Sequence, residues 1–501
     1  SAQYDSTHAP GGAVTRGVGS AGTRMDGMAQ TTYAVINGQG KALNVESFNT
    51  SLSVDGTKVE EHGLQELVYS EQAGQVGRLS SVADGLVDGK RGTVIRREDV
   101  LGQVDEGLRE SDYQIFNGRQ QVAHSITREQ TVISPFGGDR QATVEVTADF
   151  DPVTGLIKSS TQHQESRVQG VDGSLQLGVS GVVFTYEKVV VDGQERLRLQ
   201  TPVDELVRLD ESRIGDVNGD GIIGWIENRG PLGASKDLYQ NVSLSKTVNT
   251  WGVIGQTVGR VLATSVESSS RSLEGGLSTQ RLTQQFDYVG EQVGGVGFLV
   301  GATAAEVATA VGPAGVLDWL GKDASGNWIF TGFLGDLIDS DKDGKLDRHL
   351  LGLLIRSEGT GTVTETDSFG NVTTGSLAQK YGVLNGQARL LEETRTTQTK
   401  GLDLSVVDTV VVQETRYTDG TEALTGLTSS HELVRTDLVV EEDASNPGTW
   451  KVKGTFIREG KLAAGLIKGG SALITSTGVD ALGNVTNSRS EQSFKVMAGS
   501  L

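Results

Sequence analysis

The stretch Val182-Val-Phe-Thr-Tyr-Glu-Lys-Val-Val-Val191, followed by Asp192-Gly193 and then Glu195-Arg-Leu-Arg-Leu199, decides the fold. β-Branched and aromatic residues line both arms, and Asp-Gly accepts the positive φ that a two-residue type I′ turn needs. The stretch reads as a β-hairpin. Upstream, Gln141-Ala-Thr-Val-Glu-Val-Thr-Ala-Asp-Phe150 alternates apolar and polar residues, turns at Asp151-Pro-Val-Thr-Gly155 and resumes at Leu156. Leu52 and Val54, with Val59 beyond Asp55-Gly56, suggest a smaller hairpin. Downstream, residues 406–418 form one nearly continuous strand-like run that turns at Asp419-Gly420. Residues 433–440 and 450–457 flank a turn at Ala444-Ser-Asn-Pro-Gly448. Such runs exceed the usual five or six residues of a strand, and long strands suit an elongated sheet better than a compact enzyme. Asp-x-x-Gly-Asn recurs at 323–327, 367–371 and 480–484, and Glu-Thr-Arg at 393–395 and 414–416, which points to duplicated hairpin units.

The middle of the chain, 201–358, reads differently. Asp216-Val-Asn-Gly-Asp-Gly-Ile-Ile-Gly-Trp-Ile-Glu227 places Asp216, Asn218 and Asp220 at positions 1, 3 and 5 of an EF-hand calcium loop, Gly221 at position 6 and Glu227 at position 12. Three short oxygen side chains at alternate positions converge on a hard cation, and the glycine permits the turn between them. The backbone carbonyl of Ile222 supplies position 7, Ile223 points inward, and Glu227 closes the shell with both oxygens. A second loop, Asp339-Ser-Asp-Lys-Asp-Gly-Lys-Leu-Asp347, offers Asp339, Asp341, Asp343 and Asp347, with the carbonyl of Lys345 at position 7. Its position 12 is Leu350, so the bidentate closing ligand is missing and affinity should be lower. The flanks 203–209, 330–338 and 346–355 carry apolar residues at helical intervals and are expected to be helices. The exit from the first loop must be short, because Gly230 and Pro231 follow.

The phrase Gly215-Asp-Val-Asn-Gly-Asp-Gly221 resembles the calcium repeat of dockerins, modules that plug secreted enzymes into cohesin scaffolds. The Asp-x-x-Gly-Asn turns followed by Val-Thr resemble those of secreted bacterial repeat proteins. Both resemblances are local. The first implies a calcium loop used as a structural clamp, with a cohesin-like partner as the further implication, and the second implies repeated hairpin units.

Composition narrows the function. Lysine and arginine number 44 against 64 acidic residues, a formal charge of −20, which argues against nucleic acid and anionic lipid as partners. Cysteine is absent, so no disulfide, zinc-thiolate or redox chemistry is available. The 68 glycines and 7 prolines give many turns without a collagen period, and 36% apolar content allows folded but thin cores. Residues 293–317 are mostly apolar, but glycines and Pro313 dilute them below a convincing membrane span. The start, Ser1-Ala-Gln-Tyr, lacks the regions of a signal peptide and is expected to be a processed terminus. Six scattered histidines have no metal-ligand spacing, and no nucleophile elbow, phosphate loop or dinucleotide fingerprint appears.

The resulting expectation is a mainly β, elongated, multi-domain array of antiparallel hairpins or sandwich-like sheets with a smaller helical, calcium-binding middle region. Its parts are an extended arm (1–30), a β-rich domain (31–200), the central region (201–358) and a second β-rich domain (359–501). The expected function is that of a non-enzymatic, extracellular or cell-surface structural protein, stabilised by calcium. It would self-assemble into a filament, sheath or surface layer, with the arm donated as a strand to a neighbour. The alternative is an adhesin or a scaffold or carbohydrate-binding module. An exposed Trp225 or Trp328 beside the calcium loops would favour that alternative.

Overall fold

The computed structural model describes residues 10–18, 24–52, 57–72, 75–99, 102–135, 137–191, 194–254, 258–290, 295–296, 301–311, 316–317, 319–331, 335, 339, 341–346, 352–384, 387–418, 423, 432–442, 450–462 and 467–495. The protein is mainly β, and one large antiparallel sheet organises it. Pro10–Val18, Arg24–Ile36, Gln39–Leu52 and Lys58–Tyr69 pair in that order. Thr93–Glu98 then leads on to Val104–Phe116, Arg119–Ile133, Asp139–Phe150, Ile157–Gln169 and Leu175–Val191. From there the ladder continues through Leu232–Lys236, Val242–Ile254, Val258–Arg271, Leu277–Val289, Leu354–Thr366 and Val372–Leu384. It ends with Gln387–Lys400, Val406–Tyr417, Ile467–Val479 and Val485–Lys495. Each hairpin hydrogen-bonds to the next, so the antiparallel hairpins join into one continuous ladder. Among the described residues, Pro10–Val18 pairs only with Arg24–Ile36, and Val485–Lys495 only with Ile467–Val479.

The deciding hairpin forms as its sequence requires. Leu175–Val191 pairs with Gln194–Leu199, Val191 standing opposite Gln194, while the Asp192-Gly193 turn itself lies outside the described residues. The Asp-x-x-Gly-Asn turns share one geometry. The amides of Asp323, Asp367 and Asp480 donate to the carbonyls of Asn327, Asn371 and Asn484 at 2.9, 3.1 and 3.0 Å. In each, the Asn backbone amide and side chain both donate back to the Asp carboxylate. These bonds, the backbone one foremost at Asp323 and the side-chain one at Asp367 and Asp480, hold the three carboxyls below the usual aspartate range. A second backbone bond, from the fourth residue's amide to the first residue's carbonyl, completes each turn, and Gly170–Ser174, Asp237–Asn241, Ser272–Gly276 and Gly401–Ser405 close with the same two bonds, although their sequences differ.

Much of the sheet is a single layer. Accessible surface is 27252 Å², about half as large again as the ~18,000 Å² of a compact monomer of this mass. Beyond the buried Leu354 and Ile355, exposed and covered residues alternate along the rest of Leu354–Thr366, and the covered face there is Ser357, Gly359, Gly361 and Val363, mostly small residues. Neighbouring backbone approaches that face closely. A Cβ on Gly361 would lie 2.2 Å from the Arg281 carbonyl oxygen, so only glycine fits.

Two insertions add a second layer, and each carries one of the Asp-rich loops. The first, between Leu175–Val191 and Leu232–Lys236, is a ribbon in which Leu206–Asp210 pairs with Trp225–Arg229. Residues 203–209 are therefore strand, not helix. Exposure alternates through Leu206, Val207, Arg208 and Leu209 with period two, and the buried Val207 and Leu209 pack with Ile214, Val217 and Ile226 on Val179, Leu232 and Leu244. The second insertion joins Leu277–Val289 to Leu354–Thr366 and packs Val307, Val311, Trp319 and Leu346 against Val289, Ile355 and Val383. Within 293–317, Ala304–Val311 forms the chain's described α-helix, buried along Ala304, Val307 and Val311 and capped by reciprocal Thr303–Glu306 hydrogen bonds. No described helix is long and apolar enough to cross a membrane. Of 330–338 only Phe330, Thr331 and Gly335 are described. Amide bonds from Gly335 to Thr331 and from Asp339 to Gly335 give them helical spacing. Leu354 and Ile355 belong to a strand instead of the expected exit helix, because Leu354 pairs with Tyr288 across the sheet. Among the described residues, the expected helical middle region is represented by the short helix Ala304–Val311 and the helical spacing at Thr331, Gly335 and Asp339, set among β-ribbons.

Candidate metal centre

The second loop brings together Asp339, Asp341 and Asp343. One oxygen of each lies within 4.8 Å of the others, the only such group of three His or acidic side chains among the described residues. The backbone produces this convergence. Lys342 and Gly344 both adopt positive φ, 60° and 80°, which curls the chain around the carboxylates. Amides then fix each side chain: Gly344 donates to Asp339 Oδ2 (3.1 Å), Asp343 to Asp341 Oδ1 (3.1 Å) and Lys345 to Asp343 Oδ1 (2.8 Å). Asp339 is buried, and its Oδ1 has no hydrogen-bond partner among the described residues. A buried, unpaired carboxylate oxygen beside two further carboxylates is costly unless a cation completes it. The donors are all oxygens, which suits a hard divalent cation and not a thiolate- or imidazole-seeking metal. Asp347, expected at position 9, lies outside the described residues, as does Leu350.

The loop is anchored to the core. Lys345 bridges to Thr303, the bridge using the amide and carbonyl of Leu346 against Ala302 and Gly301 at 2.9 and 2.7 Å. Leu346, at position 8, is fully buried beside Trp319. The bridge therefore joins the carboxylate cluster to the start of the helix.

The first loop has the same backbone with a different outcome. Gly219 and Gly221 take positive φ, and amides of Gly221, Asp220 and Ile222 donate to Asp216 Oδ2, Asn218 Oδ1 and Asp220 Oδ1, the three bonds of the second loop repeated. Here, however, Gly219 also donates to Asp216 Oδ1 (2.6 Å), Asn218 Nδ2 occupies Asp220 Oδ2, and the Arg271 guanidinium stands 3.8 Å from Asp216. Glu227 lies in the ribbon strand opposite Arg208 and pairs with its Nε at 2.8 Å. Ile223 does not point inward. It is 61% exposed, and position 2, Val217, takes the core instead.

Glu211, which no sequence signal marked, organises this loop. It is fully buried in a short 3-10 turn, and its carboxylate accepts the amides of Val217 (3.0 Å), Asn218 (3.3 Å) and Gly224 (3.1 Å). Asp204 plays a similar part below it, accepting from Asn249 and from Trp251 Nε1 at 2.8 Å and so fastening the insertion to the sheet. The described histidines stand apart from both loops. His62 bonds Glu46 and His163 bonds Glu205, while His124 sits between Glu145 and Asp112, whose hydrogen bonds raise its pKa. No known protein family matches the chain, and no characterised protein matches it in sequence.

Proposed function

We propose that this chain is a calcium-stabilised, extracellular structural protein that assembles with copies of itself into a filament or layer. The observation that carries this reading is the open sheet, whose outermost strands each have one edge without a partner strand among the described residues. Such edges template strand addition, and an antiparallel ladder extended from Val485–Lys495 onto Pro10–Val18 of the next copy continues the same geometry. Calcium enters at the Asp339, Asp341 and Asp343 cluster, whose oxygen-only donors favour it, and there it clamps the second insertion onto the sheet.

Negative-stain electron microscopy with millimolar calcium and with chelator tests the proposal. Ordered filaments or sheets in calcium that loosen in chelator are expected. Single particles in both conditions would reject assembly.

A further inference from the structure

Where the first insertion ends, the sheet beneath it stays uncovered, and the step between the two layers forms a cleft of about 280 Å³. Strand register builds its floor. Thr143 pairs with Glu165 and Glu165 with Val179, while Gln141 pairs with Arg167 and Arg167 with Leu177, so two cross-strand rows share one face. The wall comes from the ribbon: Arg208, Asp210 and Trp225, with Arg213 from the adjoining 3-10 turn. Trp225 is 66% exposed, and its neighbour Ile226 supplies the core contact instead. Arg213 forms no ion pair within 4.0 Å among the described residues; the nearby Asp210 carboxylate is hydrogen-bonded to Ser212 and meets the Arg213 charge only at longer range, whereas Arg208 is held by Glu227 and Arg167 by Gln169.

We infer that this cleft binds a carboxylated saccharide, a short oligomer of a uronic acid, with a sugar ring stacked on Trp225 and its carboxylate on the Arg213 guanidinium. An exposed indole gives a flat apolar platform that suits a pyranose face, and a guanidinium fork matches a carboxylate better than a hydroxyl. Gln141, Thr143 and Glu165 on the floor supply partners for ring hydroxyls. Three arginines and two carboxylates, Glu165 and Asp210, line the cleft, so it escapes the acidic excess of a chain that carries −20 overall. That overall charge repels a long polyanion, so recognition is short-range and short oligomers bind better than polymer. The inference stands apart from self-assembly, since none of these residues lies on either outermost strand.

Titration of the full chain with a uronic-acid oligomer, its carboxyl-reduced counterpart and polyglutamate, followed by calorimetry and tryptophan fluorescence in chelator, tests it. Removing the exposed ring in Trp225→Ala should weaken the acidic oligomer about tenfold. Loss of the charged fork in Arg213→Gln should weaken it by about tenfold or more. The reduced oligomer and polyglutamate should bind at least as weakly as the variants bind the acidic oligomer. Equal affinity for acidic and reduced oligomers, unchanged affinity in both variants, or no binding by the wild type would each overturn the assignment. Assembly seen by microscopy should be untouched by either substitution.

Discussion

The loops at 216–227 and 339–346 share a backbone and three side-chain hydrogen bonds, yet they end in different states. In the first, both oxygens of Asp216 are taken by amides of Gly219 and Gly221, and Glu227 is held by Arg208. In the second, Asp339 uses one oxygen for Gly344 and keeps the other buried and unpaired. The spacing of Asp, Asn and Gly at alternate positions serves two purposes, because the side chains that ligate a cation also form Asx turns with their own backbone. What separates the loops is which lone pairs remain once the turn's amides are satisfied. The loop with the fuller motif has the fewer to spare.

Position 8 gives the sharpest way to break this comparison. Leu346 is buried in the second core, whereas its counterpart Ile223 is exposed. Leu346→Ala should therefore cost about 2–5 kcal/mol through lost burial and a cavity. Ile223→Ala should stay within about 0.5 kcal/mol, as for most surface positions. Denaturant unfolding of both variants measures the difference, and equal losses would show that the loops are equivalently seated.

Metal linkage should separate the loops next. At calcium a hundredfold above its dissociation constant, binding to the native state adds about 2.7 kcal/mol. Asp339→Asn should abolish that increment, while Asp216→Asn should leave it in place. In chelator the order changes: Asp339→Asn should be more stable than the wild type, since a neutral amide replaces a buried, uncompensated carboxylate. Unfolding curves with and without calcium, supported by calorimetric titration, decide this. A calcium increment lost in Asp216→Asn and kept in Asp339→Asn would reverse the assignment.

The strands were legible because their determinants are local. Gln141 to Phe150 alternates and ends at its predicted turn, and the structure has Asp139–Phe150 there. The recurring Asp-x-x-Gly-Asn turns likewise carry their geometry in five residues. Continuity of the sheet was not legible, since it depends on pairing across insertions, such as Leu277 with Thr366. Residues 203–209 misled because Val203, Leu206, Val207 and Leu209 fit a helical stripe as well as a strand, and only Trp225–Arg229 as partner settles the period. At the site, the three convergent aspartates could be read from spacing. Glu211 could not, because its role arises from burial beneath a loop that folds back over it.

A smaller effect than metal linkage is expected at Glu227, the closing ligand read from the sequence. Glu227 and Arg208 form a cross-strand pair with side chains 48% and 63% exposed, so Glu227→Gln should cost no more than about 1 kcal/mol. It should leave calcium affinity unchanged, because the residue sits in a strand whose register fixes it opposite Arg208. As a bidentate closing ligand it would be indispensable, and its loss would weaken calcium binding well beyond tenfold. Such a drop, measured by calorimetric titration, would mean that the first loop reorganises when it meets the cation. Glu227 would then exchange its guanidinium for metal, and the two loops would differ in their resting state alone.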